Sequence, residues 1–227
     1  DLVDRGMAVG EDTAAAARTD AEIFDSHGLL SGNCVMAHGT HLTDGDLVIL
    51  SERNVGVAHC ALSNYYFSGR TLHVRHLLGR GVRVGLGTDV AGGYSPSMMD
   101  ASRCTVVASR GLGQTMRAVK EAVGVPSQQA GTQEDGRVDP TLDYLHAFYL
   151  ATLGGASALG IDDKVGTFGR GMEFDAIILS AAVGNNICIF DTDGTADIFQ
   201  KICTQGDDRN ILKVFVKGRE VVTNETG

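Results

Sequence analysis

Three short apolar runs stand out in the first half of the chain, and each stops at a polar residue: Cys34–Ala37 at His38, Val55–Ala58 at His59, and Val84–Thr88 at Asp89. Small and β-branched residues run without a charge from Val84 to Thr88, which reads as a strand buried on both faces, and the two earlier runs read as short strands of the same pattern. Helical signals fill the gaps. Thr43 with Asp46 three residues on forms a capping pair opening a helix. Leu72, His73, His76 and Leu77 make an apolar stripe at helical spacing. After the third run, Ser95 as N-cap and Pro96 at the first helical position predict a helix, continuing over Met98–Leu112 and packed by Met99, Val106 and Val107. Counted from Cys34, Val55 and Val82, the stretches start 21 and 27 residues apart, which predicts consecutive βα units.

The remainder is less regular. Residues 1–25 are polar and alanine-rich, with Ala14–Ala17 favouring helix and Glu11, Asp12, Asp20, Glu22 and Asp25 reading as a solvated face. His27 reads as a surface-loop residue. Residues 124–140 read as an exposed polar insertion. Thr141–Leu153 is the clearest helix, with Leu142, Leu145, Phe148, Tyr149 and Thr152 on one side and Gly154-Gly155 ending it; His146 within it reads as a packed or exposed helical histidine. Phe174–Leu179 and Leu212–Val222 read as strands, the second a hairpin around Lys217-Gly218-Arg219. The chain thus divides into an α/β body, residues 1–165, and a small β element, residues 166–227.

Composition narrows the classes of function. The chain has 227 residues, 43% of them hydrophobic, enough for a sizeable core. No window holds about 18 consecutive apolar residues, and the N-terminus lacks the basic start and apolar centre of a signal peptide, so no membrane partner is expected. A formal charge of −9 argues against nucleic acid and anionic lipid. Five cysteines without tight spacing predict free thiols in a reducing, cytoplasmic compartment. The first residue is Asp rather than Met, which implies a piece of something longer.

His38, His59 and Asp89 are all groups that bind metal or move protons, and all end consecutive strands. Core packing alone does not produce three such ends in register. Barrels of the (β/α)₈ type collect their chemistry on the C-terminal rim from several strands; an open doubly wound sheet does so too, but its glycine fingerprint is absent, since Gly85-Leu86-Gly87 lies inside a strand. Gly92 and Gly93 let the backbone turn sharply after Asp89 and leave space about its carboxylate. An ionised group leaving a buried strand needs a metal, a cation or water. The zinc signature of the cytidine-deaminase architecture is excluded, because no C-x-x-C occurs.

Val35-Met36-Ala37-His38-Gly39, Val57-Ala58-His59-Cys60 with Ser63-Asn64, Gly85–Ser95, Ala151–Ala156, Gly171–Ala176 and Gly206–Ile211 together resemble the guanine-deaminase branch of the amidohydrolase superfamily, from about residue 24 to the end. Ala61 departs from the proline usual after His-Cys, and the 124–140 insertion is a second departure. The resemblance implies the C-terminal part of a TIM-like (β/α)₈ metal-dependent hydrolase barrel, strands six to eight, with an appended small β-sandwich segment. It implies hydrolysis of guanine to xanthine and ammonia by a zinc-activated water, with a homodimer as the assembly. In that family one zinc is held by an H-x-H on the first strand, a histidine on the fifth and an aspartate on the eighth, and a glutamate three residues after the fifth-strand histidine shuttles protons. Asp89 matches the eighth-strand aspartate, hence metal ligand and catalytic base. His38 matches the sixth-strand histidine, a catalytic and substrate-binding group. His59 and Asn64 then support the rim. No H-x-H or H-x-x-E stands at a strand end here, so the remaining zinc ligands are expected outside these residues. Two alternatives stay open: another aminohydrolase acting on a triazine, pterin or nucleoside, or a non-catalytic remnant.

Overall fold

The computed structural model describes residues 18–122 and 138–224; the alanine-rich stretch up to residue 17 and most of the 124–140 insertion fall outside them. The three apolar runs form the strands β1 (Val35–Ala37), β2 (Gly56–His59) and β3 (Arg83–Leu86), and β1 is the open one, with Val35 and Ala37 exposed. They pair in parallel in the order β1-β2-β3, with Ala37 opposite Ala58 and His59 opposite Leu86. Parallel pairing in sequence order requires each connection to cross back over one face. The connections are helical: α2 (Asp44–Glu52) after β1, α3 (Ala61–Ser63), a π-helical turn (Asn64–Ser68) and α4 (Val74–Gly79) after β2, and α5 (Met98–Ala122) after β3. Before β1, α1 (Asp20–Ser26) is closed by a Thr19–Glu22 capping box.

Local signals hold in part. Thr43 and Asp46 make the reciprocal capping box on α2, and Asp46 also accepts from the Thr19 hydroxyl at 2.5 Å, which pins α1 to α2. The stripe at Leu72–Leu77 is corrected. Leu72 and His73 precede α4, and His73 caps it by accepting the His76 N–H at 3.2 Å while its Nε2 meets the Val138 carbonyl at 2.9 Å. The helix read from Ser95 begins instead at Met98 and runs on to Ala122.

The largest correction concerns Thr141–Leu153. Two helices occupy the region, α6 (Tyr144–Ala151) and α7 (Leu153–Leu159), with Asp143 capping the first and the chain breaking at Thr152. Gly154-Gly155 does not end a helix; it lies within α7, where the helix touches the sheet. A Cβ on Gly56 would lie 2.0 Å from the Ala158 carbonyl oxygen, one on Gly85 2.7 Å from Gly155 Cα, and one on Gly154 2.9 Å from the Val84 carbonyl oxygen. Glycine on both sides lets backbone meet backbone, closer than any side chain permits. The side chains that bury themselves in α6 are Ala147 and Leu150, whereas Leu145, Phe148 and Tyr149 are partly exposed. The core lies on the other face of the sheet, where Val55, Val57, Val82 and Val84 pack with Leu47, Leu50, Leu72, Val74 and Leu77, and Leu142 and Leu150 join them.

The tail forms a second sheet of three antiparallel strands, β4 (Ala176–Leu179), β5 (Ile211–Val216) and β6 (Arg219–Thr223), in the order β4-β5-β6. Lys217 and Gly218, both at positive φ, turn the β5–β6 hairpin. Between β4 and β5 comes α8 (Thr195–Gln205), an element beyond those read from the sequence; its Phe199 packs edge-on against Phe148 at 5.1 Å. Asn210, fully buried, donates to the Ser180 and Val183 carbonyls at 2.9 Å each and accepts from Asp207 N–H. Every polar group so used offsets the cost of its burial. Among the described residues no helix is long and apolar enough to cross a membrane.

Candidate functional site

The C-terminal ends of β1, β2 and β3 converge, and the parallel register places His38 and Asp89 at one edge. His38 directly follows β1, and its N–H donates to the Ala58 carbonyl at 3.0 Å, extending the β1–β2 ladder by one residue. Asp89 stands three residues beyond β3. Both hold left-handed backbone, φ 70° and 50°, a conformation that is uncommon for non-glycine residues and concentrates at functional sites. His38 Nε2 and Asp89 Oδ2 face each other at 3.9 Å, each half-exposed.

Asp89 is framed by the turn that the glycine pair permits. Gly93 N–H donates to the Asp89 carbonyl at 2.5 Å. A Cβ on Gly92 would lie 2.6 Å from Asp89 Oδ2, and one on Gly93 2.2 Å from the Thr88 carbonyl. No side chain fits at either position without displacing the carboxylate or the turn.

Asn64, 3% exposed, reaches the site from the start of the π-helical turn, and its Oδ1 lies 2.8 Å from His38 Nδ1. With that oxygen facing it, Nδ1 carries the proton of the neutral ring, and Nε2 is left on the side of Asp89. Sequence reading placed Asn64 as a support near His59; the structure brings its side chain to His38. No spacing signal could reveal that link, since the two residues are 26 apart in the chain.

His59 has a different character. It ends β2 at 1% exposure, and its Nδ1 has no hydrogen-bond partner among the described residues. Burial holds its ring neutral, with a pKa lowered to about 4. It bears on the loop to Asn64 through the backbone, its carbonyl accepting Gly87 N–H while the neighbouring Cys60 carbonyl accepts Asn64 N–H. Cys60 is likewise buried, and burial, with the Asp89 carboxylate adding to it, pushes its thiol pKa up, the condition of an inert thiol. The Asn64 Nδ2 is a second buried donor without a partner among the described residues.

The Asp89 carboxylate is a donor of the type zinc accepts, and the His38 imidazole 3.9 Å away stands where it can bond to what the metal holds. Among the described residues no group of three His, Cys, Asp or Glu side chains could hold a metal. Asp89 therefore fits as one donor of a zinc site, with further donors needed to fill a tetrahedron.

The chain resembles known proteins over most of its length. It is 40% identical over 206 residues to guanine deaminase of Mus musculus, an alignment covering 88% of this chain and 41% of that protein. Among solved structures, E. coli guanine deaminase superposes with a TM-score of 0.72 at 27% identity, over 90% of this chain and 42% of that one. A zinc-bound adenosine deaminase from Xanthomonas campestris superposes with a TM-score of 0.67 at 21% identity, over 96% of this chain and 43% of that one, a likeness of fold. The chain thus spans about two-fifths of the length of the curated relatives it matches. The amidohydrolase family pattern matches residues 8–221, nearly the whole chain. On that match the chain belongs to the amidohydrolase family.

Proposed function

We propose that this chain contributes the rim of strands six to eight to a zinc-dependent aminohydrolase that converts guanine and water to xanthine and ammonia. The observation that carries the reading is the His38–Asp89 pair, 3.9 Å apart at the ends of parallel strands and oriented by Asn64, in a chain 40% identical to a guanine deaminase. In this reading residues 1–165 form part of a (β/α)₈ barrel, and residues 166–227 form part of a small β-sandwich domain. The other zinc donors come from outside these residues. The partner is a purine base, the assembly a homodimer and the compartment the cytoplasm.

Zinc, when bound, supplies a hydroxide at neutral pH by lowering the pKa of its water to about 7. Asp89 would hold the metal through one carboxylate oxygen. Its other oxygen takes the proton released as the water oxygen adds to the ring carbon bearing the exocyclic amine. Asn64 keeps the His38 Nδ1 proton in place, so the lone pair at Nε2 accepts a hydrogen bond from the O–H of the adding oxygen and orients it. The remaining O–H proton passes to the ring nitrogen that took the electron pair of the C=N bond, which leaves that oxygen as the product carbonyl. The C–N bond breaks as the amine receives the proton that Asp89 took, and ammonia leaves. Atoms balance: one water enters, one ammonia departs, and no redox change occurs.

Single-turnover rates and metal content of three variants test the assignment. His38→Ala keeps its zinc and loses on the order of 10²–10⁴-fold in kcat, the usual size of one acid–base contribution. Asp89→Ala loses more, because ligand and base go together. An active His38→Ala protein would overturn the assignment, as would a His59→Ala protein that binds guanine normally yet cannot turn it over.

A further inference from the structure

The rim loop that carries Asp89 is joined to the closing segment before β5 by a chain of polar contacts running through Arg103. Ser95, two residues after the Gly92-Gly93 turn, donates its hydroxyl to Asp100 Oδ2 at 2.6 Å, and its oxygen accepts Ser97 N–H at 3.3 Å. Asp100 Oδ1 accepts from Arg103 Nη2. The other guanidinium arm, Nη1, donates to the Gly206 carbonyl at 2.7 Å, at the C-terminal end of α8. Gly206 leads directly into Asp207, whose carboxylate accepts from the Arg209 guanidinium and from the Arg209 backbone N–H, and into the buried Asn210.

We infer that Arg103 is a positioning residue: by holding Asp100, and through it Ser95, it fixes the 88–97 loop and the Asp89 carboxylate against the α8–β5 segment. The inference rests on the functional reading above. A guanidinium suits the task because its planar fork serves a carboxylate and a carbonyl at once, which a lysine ammonium cannot do in the same geometry. Each ion pair here is partly exposed and contributes little to stability alone. Its importance lies in where the loop is held, and supporting contacts of this kind typically change activity 10–100-fold.

The test uses the zinc-loaded protein that carries these residues together with the remaining zinc donors, and two readouts, backbone hydrogen exchange over residues 88–97 and kcat against KM for guanine. Arg103→Met is expected to speed exchange in the loop about tenfold while β2 and β3 stay protected. It should lower kcat about tenfold with zinc retained and KM little changed. Ser95→Ala, which cuts the chain at the loop without touching α8, should speed the same exchange, and Asp100→Asn combined with Arg103→Met should be no worse than either alone. Unchanged loop exchange and normal kcat per folded molecule in Ser95→Ala and Arg103→Met would overturn the inference, whatever the change in Tm. A wild-type protein without guanine turnover would sink the functional reading, and the exchange readout would still decide whether Arg103 holds the loop.

Discussion

His59 makes the stability of this protein acid-sensitive in a window that can be calculated. Its ring is buried at 1% exposure, with Nδ1 unpartnered among the described residues, and its pKa is lowered from 6.5 to about 4. Because the folded pKa lies below the unfolded one, the unfolded chain binds this proton more readily. Stability is therefore whole above pH 6.5 and falls as the pH drops toward 4. Integrating between the two values gives a loss of about 2.5 kcal/mol at pH 4.5 relative to pH 7.5. At a urea m-value of ~2 kcal/mol/M, that moves the unfolding midpoint by about 1 M. Depressed carboxylates such as Asp207, held near 2 by its bonds from Arg209, act below this window. His73, also lowered by burial, adds a loss of the same sign. The comparison that isolates His59 is the midpoint at pH 7.5 and 4.5 for the wild type and for His59→Gln, which cannot titrate. The variant should start less stable, because a packed ring is lost, but its acid slope should be smaller by about 2.5 kcal/mol. Equal slopes in the two proteins would refute the reasoning.

Other expectations follow from the packing and the site. Gly56→Ala puts a methyl 2.0 Å from the Ala158 carbonyl oxygen and should cost about 3 kcal/mol in chemical denaturation, the upper range for overpacking, by driving α7 off the sheet. Gly79→Ala, in the last turn of α4 with nothing within 4 Å of the new carbon, should instead be neutral or gain about 0.5 kcal/mol in the same assay. Asn64→Ala removes the acceptor at His38 Nδ1 and should lower kcat about 10–100-fold with zinc retained, read by single turnover and metal analysis. Residues 1–227 alone, dialysed against a chelator, should keep no stoichiometric zinc, because Asp89 with His38 nearby leaves the site two or three ligands short among the described residues; retained zinc by elemental analysis would contradict this.

The sequence by itself determined the three parallel strands and the identities at their ends. Short apolar runs closed by a polar residue suit the strands of a parallel sheet, so His38, His59 and Asp89 were legible as strand-end groups, whereas the exposure of Val35 and Ala37 in β1 was not. The hairpin at Lys217-Gly218 was legible for a similarly local reason, since a two-residue turn needs positive φ at both positions. The tertiary structure alone decided which strand ends work together. His38 and Asp89 meet at 3.9 Å across loops that turn back through left-handed backbone, whereas His59 is sealed in the interior, and only burial distinguishes the two histidines. It also decided the role of Asn64, whose partner is 26 residues away, and of Gly154-Gly155. That pair looks like a helix terminator until the sheet is present, because a missing side chain reads as a stop in one dimension and as a contact in three. α8 was legible too, since Ile198, Phe199, Ile202 and Cys203 recur at helical spacing; what only the structure decided is that this stripe, through Phe199, meets Tyr144 and Phe148 on α6, residues too distant in sequence for any local pattern to link.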